Sequence, residues 1–268
     1  MTGATTNELP LVSVTGAAGR VGRLTAAALA GRYRLRLVDL EWPDRVADDP
    51  LTPAVDEADR VSADLRDLDA WDRVVDGADL LVHLAAQPSP EIGVREALED
   101  VAMPTAHLVA AAERSSVRRV VFASSIHAMG LYDRHALHPV DPTWPPRPCC
   151  EYGAAKVLSE NLLALLTERA DLSVVCLRLG LTGMLPPDEY AASQWLGDRD
   201  FAELLRGALV ADVKFAAYFG VSVRASNRWN VSYGRADLGY TPTDVAPAAA
   251  ERATDYGEGH CLMRPPEQ

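Results

Sequence analysis

Val14-Thr15-Gly16-Ala17-Ala18-Gly19-Arg20-Val21-Gly22 carries the chain from one regular element into the next through three glycines. The run Leu11 to Val14 before it reads as a strand, and Arg20 to Ala30 after it reads as a helix closed by Gly31. Gly16, Gly19 and Gly22 stand at the spacing GxxGxxG. Glycines there permit a tight turn and let a pyrophosphate approach backbone N–H groups at a helix N-terminus. The spacing differs from GxGxxG, and three glycines in such a turn also serve structure alone. The strand before and the helix after favour a dinucleotide, held by Gly16, Ala18, Gly19, Arg20, Val21 and Gly22.

Working outward, Arg34 to Asp39 reads as a second strand, a third lies near Val61, Leu80 to His83 is a fourth and Val120 to Ala123 a fifth. Strands alternating with helical stretches predict βαβ units and a doubly wound, Rossmann-type parallel sheet with helices on both faces. Pro139 to Pro148 is too rich in proline for a helix or a central strand and reads as a loop. A helix follows from about Tyr152 to Arg169, then a buried strand from Val174 to Leu179. Beyond it the pattern weakens: Phe201 to Leu209 and Asp244 to Ala253 read as helices and Val213 to Phe219 as a strand. Residues 1–9 read as a loose polar tail and 10–268 as a single domain, with 181–242 supplying most of a small C-terminal substrate-binding portion.

The net charge of -12 disfavours nucleic acid and anionic membrane as partners. The start of the chain lacks the basic and apolar regions of a signal peptide, and no apolar run approaches the roughly 18 residues of a bilayer span. A cytoplasmic protein with reduced thiols is expected. The cysteines Cys149, Cys150, Cys176 and Cys261 show no CxxC or Cys/His ligand spacing, so no metal site is expected, and the adjacent Cys149 and Cys150 are not expected to bridge each other.

Asp39 ends the second strand, about 20 residues beyond the glycine loop, where a carboxylate accepts hydrogen bonds from the adenosine ribose. It would repel a 2′-phosphate, so NAD is favoured over NADP. Asp64 and Leu65 suit either the adenine edge or, for Asp64, the cap of a helix starting near Asp67. Tyr152 and Lys156 lie four apart, on one face of a helix. A phenol titrates near pH 10 and is a poor base at neutrality. A neighbouring ammonium would favour the phenolate, which could then take a proton from a substrate hydroxyl as hydride leaves. Ser125, just past the fifth strand, is placed to hold the reacting oxygen by hydrogen bond.

YxxxK alone recurs by chance on many helices. Here it follows, in order, the glycine loop, Asp39, His83-Leu84-Ala85-Ala86 and Ser124-Ser125. That order resembles the short-chain dehydrogenase/reductase superfamily in its extended, epimerase-like branch, over about residues 11–245. Phe122 to Gly130, Tyr152 to Lys156, Arg178-Leu179-Gly180, Ser193-Gln194-Trp195, Trp229-Asn230 and Leu238 to Pro242 resemble bacterial uronate dehydrogenases more closely. The resemblance implies an NAD-dependent oxidoreductase acting on a sugar-like, polyol or cyclic secondary alcohol or hemiacetal, with Ser125, Tyr152 and Lys156 as its triad. It implies that His83, Leu84, Ala85 and Ala86 line the dinucleotide and that the protein is a homo-oligomer. A nucleotide-sugar epimerase or dehydratase and a non-catalytic dinucleotide sensor are the alternatives. Only 112 residues follow Lys156, little for enclosing a nucleotide diphosphate.

The substrate half departs from the uronate dehydrogenase pattern. Ile126 stands where those enzymes have Asn, Leu181 where they have Ser, and Tyr190 where an Arg clamps the sugar carboxylate. Pro88, with Ser89 beside it, replaces a polar Ser. These positions predict a less charged substrate, since a buried carboxylate needs a cation. His127 suits either substrate contact or a structural hydrogen bond, and Trp195 either a pocket wall or packing. Arg199, Arg224 and Arg228 are candidate replacement anion ligands, or solvated side chains.

Overall fold

A computed structural model describes residues 9–42, 51, 54–55, 58–248 and 261–263. The first strand, β1 (Leu11–Thr15), is buried along its whole length because a strand pairs with it on each side. Its neighbours are β2 (Arg34–Asp39) and β4 (Leu80–His83). Further out lie β3 (Asp59–Ser62), β5 (Arg119–Ser125), β6 (Ser173–Leu179) and β9 (Phe215–Gly220). The order is β3-β2-β1-β4-β5-β6-β9, and every pairing is parallel. A separate two-stranded pair, β7 (Leu181–Thr182) and β8 (Trp195–Leu196), follows β6.

Two-residue alternation divides the core. Val12, Val14, Val82, Val121, Val175 and Leu177 face one cluster, which takes Leu24 and Leu29 from the helix Arg20–Leu29 and Leu204 and Leu205 from Asp198–Val210. Leu81, Val120, Phe122, Val174 and Cys176 face the other, with Trp71, Leu108, Leu163 and Leu166. Those four come from the helices Ala70–Val75, Met103–Ala112 and Glu151–Arg169. Helices therefore cover both faces of a parallel sheet, the doubly wound arrangement that the strand–helix alternation predicts.

Strand order reverses between β1 and β4, and ligands of such sheets bind at the carboxyl ends of the strands beside that point. Two expectations change here. Ser125 is the last residue of β5 and not just past it. Asp244 to Ala253 was expected to be helical; residues 244–248 are irregular, and 249–253 lie outside the described residues, as do residues 1–8 of the expected tail. Asp244 is used as a cap: its carboxylate accepts the N–H groups of Arg199 and Asp200 (both 3.1 Å) in the first turn of the Asp198–Val210 helix. Among the described residues no helix is long and apolar enough to cross a membrane.

Candidate active site

The carboxyl ends of β1, β2, β4, β5 and β6 open into one cavity of about 1370 Å³. A small-molecule pocket occupies roughly 300–1,000 Å³, so this cavity has room for a dinucleotide beside a modest substrate. Gly16, Ala18, Gly19, Arg20, Val21 and Gly22 line it, and so do Asp39, Asp64, Leu65, Leu84, Ala85 and Ala86. Gly16 has φ +70°, and a Cβ there would stand 2.8 Å from the Ala85 amide nitrogen. A Cβ on Gly22 would stand 2.2 Å from the Gly16 carbonyl oxygen. A side chain at either position would collide with backbone and force the turn out of this shape. Asp39 accepts the Ala18 N–H (2.8 Å) and the Leu40 N–H (2.8 Å), which fixes its carboxylate against the glycine loop. Asp64 accepts from Arg66, backbone and side chain alike, and these bonds hold its carboxyl below the usual range. The residues present fit a bound NAD.

Ser125, Tyr152 and Lys156 meet in the same cavity, all buried. Tyr152 enters on the first turn of the helix Glu151–Arg169. Burial pushes its phenol up, the Cys150 sulfur adds to that, and a hydrogen bond with Ser125 opposes both. The Lys156 Nζ donates to the Ala123 carbonyl oxygen (2.7 Å) and lies 5.5 Å from the centre of the Tyr152 ring. Burial lowers Lys156 to about 7, against the pull of Glu160. Lys156 is therefore near, but burial governs the phenol, which moves up where a neighbouring cation alone would move it down.

Glu160, one turn beyond Lys156, was not signalled by the sequence. It accepts both Arg178 Nε (2.9 Å) and Nη2 (2.7 Å) and the Ser124 hydroxyl, while Arg178 also reaches the Pro142 carbonyl oxygen (2.9 Å). This buried knot ties β5, β6, the proline-rich loop and the Tyr152 helix together.

Of the expected substrate contacts, Pro88, Ile126, His127, Leu181 and Tyr190 line the cavity. Ser89 and Trp195 do not; the Ser89 hydroxyl caps the Glu91 N–H, and the Trp195 indole donates to the Met184 carbonyl oxygen (2.9 Å). His83 does not line it either. It lies inside the core between Trp71 and Phe122, with Nδ1 2.7 Å from the Thr15 hydroxyl, and burial lowers it to about 3. Gln194, Met184 and Cys261 line the cavity without having been expected.

The candidate replacement cations are committed elsewhere. Arg228 makes a bidentate pair with Asp133 (both 2.8 Å), and Asp133 also accepts Tyr190 Oη (3.1 Å) and Gln194 Nε2 (3.0 Å). Arg224 pairs with Glu189, and Arg199 with Glu203. None of the three lines the cavity. His127 is pushed up to about 9; burial opposes that, and the Cys150 and Cys261 sulfurs outweigh it. No metal site was expected, yet the structure gathers His127, Cys149, Cys150 and Cys261 at one point.

The model of the NAD-dependent epimerase/dehydratase family matches residues 12–182. A Haloferax volcanii protein, NAD-dependent glucose-6-phosphate dehydrogenase, is 33% identical over 87% of this chain and 93% of its own length. From the same organism, L-arabinose 1-dehydrogenase (NAD(P)(+)) is 30% identical over 90% of this chain and 99% of its own. The structure of a uronate dehydrogenase variant from Agrobacterium tumefaciens complexed with NAD superposes with a TM-score of 0.76 at 29% identity. That match covers 88% of this chain and 86% of the other.

Proposed function

This chain belongs to the NAD-dependent epimerase/dehydratase family, and we propose that it oxidises an uncharged, sugar-like hemiacetal or ring alcohol with NAD. NAD, when bound, supplies the hydride acceptor. Tyr152 takes the proton of the substrate hydroxyl, and Ser125 holds the reacting oxygen through a hydrogen bond. Lys156, anchored on the Ala123 carbonyl, stands 5.5 Å from the centre of the Tyr152 ring, and in its protonated form it lowers the free energy of the phenolate. Asp39 orients the adenosine ribose from its fixed position on the Ala18 N–H.

One observation carries the choice of substrate class. Ile126, Leu181, Met184 and Tyr190 line the cavity beyond the triad; of the cationic side chains at its wall, Arg20 pairs with Asp198, Arg66 pairs with Asp64 and His127 is engaged by cysteine sulfurs, while Arg228 is locked onto Asp133 outside it. A buried carboxylate or phosphate held without a cation loses several kcal/mol. A neutral hydroxylated ring does not. The relatives that act on glucose 6-phosphate, arabinose and uronate span charged and uncharged sugars, and this lining supports the uncharged end of that range. We also take the protein to be cytoplasmic and homo-oligomeric. Free cysteines support the first, and the exposed Val94, Leu98, Met103, Leu158 and Leu165 on two packed helical segments support the second.

NAD reduction is measured against L-arabinose and other neutral aldoses, cyclic polyols, glucose 6-phosphate, glucuronate and galacturonate. A neutral compound is expected to give the highest kcat/KM. A kcat/KM above about 10⁴ M⁻¹s⁻¹ on either uronate, an ordinary value for a true substrate, would overturn the uncharged-substrate reading.

A further inference from the structure

We propose that His127, Cys149, Cys150 and Cys261 form a closed tetrahedral zinc site against the catalytic helix. Three stretches of chain meet there. His127 lies in the turn after β5, Cys149 and Cys150 lead into the helix Glu151–Arg169, and Cys261 comes from the C-terminal part of the chain. The four donor atoms all lie within 4.8 Å of one another.

The distances fit the ion. With Zn–S near 2.3 Å and Zn–N near 2.05 Å, a tetrahedron has S···S edges of about 3.8 Å and N···S edges of about 3.6 Å. Cys149 and Cys261 stand 3.8 Å apart at sulfur. His127 Nδ1 stands 3.3 Å from the Cys149 sulfur, 3.6 Å from that of Cys150 and 3.5 Å from that of Cys261. A disulfide would use two sulfurs at about 2.05 Å and leave the third, with its equal approach to the imidazole, unexplained. Three sulfurs and one imidazole nitrogen in a tetrahedron suit zinc over the oxygen-seeking divalent cations.

The surroundings are built for close approach. A Cβ on Gly130 would stand 2.3 Å from the Cys149 sulfur, and one on Gly153 would stand 2.4 Å from the His127 carbonyl oxygen. The Leu262 N–H donates to the Cys149 carbonyl oxygen (2.8 Å), the Arg134 guanidinium holds the Leu262 carbonyl (2.6 Å), and Met263 is buried. These contacts bring Cys261 to the cluster independently of its own sulfur. The Gly153 N–H reaches the Cys150 sulfur (3.5 Å) at the helix N-terminus, where thiolate is favoured. Four protein ligands leave no open position, so the role is structural. On binding, the three thiols release their protons, and the ion cross-links the end of β5, the start of the Tyr152 helix and the C-terminal segment that walls the cavity.

The test uses the full chain, purified without chelator in a phosphine reductant. Elemental analysis is expected to find one zinc per chain, and zinc-stripped protein is expected to take up cobalt(II) with the intense visible bands of a tetrahedral thiolate site. Restoring zinc is expected to raise Tm. Cys149→Ser and Cys261→Ser are each expected to weaken zinc by more than the roughly 10–100-fold that loss of an outer-shell partner costs. The cobalt spectrum of the unaltered chain stands even where a variant fails to fold. Metal-free protein with titratable thiols and no cobalt bands overturns the proposal. So does a Cys149–Cys261 disulfide in metal-free protein, or a wild-type cobalt spectrum in either variant.

Discussion

Replacing Lys156 by Met separates what the active site needs from what the fold prefers. The side chain is 2% exposed, and burial lowers its ammonium from 10.5 to about 7. At about 1.36 kcal/mol per pH unit, charging it in the fold costs about 5 kcal/mol more than charging it in the unfolded chain. Below pH 7 the folded protein carries that whole cost. As pH rises from 7 to 10.5, the folded lysine is neutral while the unfolded one still binds a proton, so the cost shrinks and stability rises. Met keeps the length without the charge, but it leaves the Ala123 carbonyl without the Lys156 donor at 2.7 Å, a loss of about 1–3 kcal/mol. The variant is therefore expected to be more stable than the parent by about 2–4 kcal/mol at pH 6, a Tm gain of roughly 5–10 °C. By pH 9 about 3 kcal/mol of the difference between the two proteins is expected to have gone. Dehydrogenase turnover is expected to collapse at both pH values. Urea unfolding of the two proteins at pH 6 and pH 9, without NAD, gives the numbers. A stability difference that does not change with pH, or a variant less stable at pH 6, would refute the buried, unwelcome ammonium.

Tyr152→Phe keeps the ring and removes the proton acceptor; turnover should fall by roughly a hundredfold or more while calorimetry still shows NAD binding, and unchanged turnover would remove the mechanism. With Asp39 fixed on the glycine loop, NAD should bind at least tenfold more tightly than NADP, more than about 1.4 kcal/mol, and equal affinities in calorimetry would remove Asp39 from the ribose. Gly16→Ala and Gly31→Ala both carry a side chain into positive φ, +70° and +72°, but only the first meets backbone, at Ala85. Gly31→Ala should lose about 1–2 kcal/mol in urea unfolding, Gly16→Ala should lose more because its Cβ also meets the Ala85 backbone, and only Gly16→Ala should lose NAD affinity.

The parallel sheet was legible because its signals are local. The glycine turn, the apolar run of β1 and the alternation in β4 to β6 each sit within a few residues, and tertiary pairing only sums them. The helical segment before β5 was not. Met103–Ala112 is apolar on most of its circumference, so no 3.6-residue rhythm marks it, and Pro104 argues against a helix. The chain accommodates Pro104 in the first turn, where its missing N–H has no obligatory partner, directly after a π turn at Leu98–Ala102. His83 shows the opposite failure. Motif order assigned it to the cofactor, but β4 alternation turns its ring into the core beside Trp71. The thiol cluster escaped the sequence because its spacing follows no ligand motif; His127 and Cys261 are joined only by how the chain folds.

The substrate half shows why a cation cannot be moved on paper from one place in a chain to another. In sequence, Arg228 is available to replace the carboxylate clamp that Tyr190 displaces. In the fold, Tyr190 and Arg228 belong to one arrangement. Both reach Asp133, whose side chain is wholly buried, and the guanidinium lies 5.5 Å from the Tyr190 ring centre. Gln194 joins them, and the Trp229 indole in turn donates to Gln194 (2.6 Å). Swinging Arg228 into the cavity would strand Asp133 as a buried charge without its cation, at about 3–5 kcal/mol. A substrate carboxylate would have to supply that and its own desolvation from the same guanidinium. Nothing in a neutral ring asks for the exchange, so on the proposed reading the polar knot behind Tyr190 would disfavour a charged substrate by holding its arginine back.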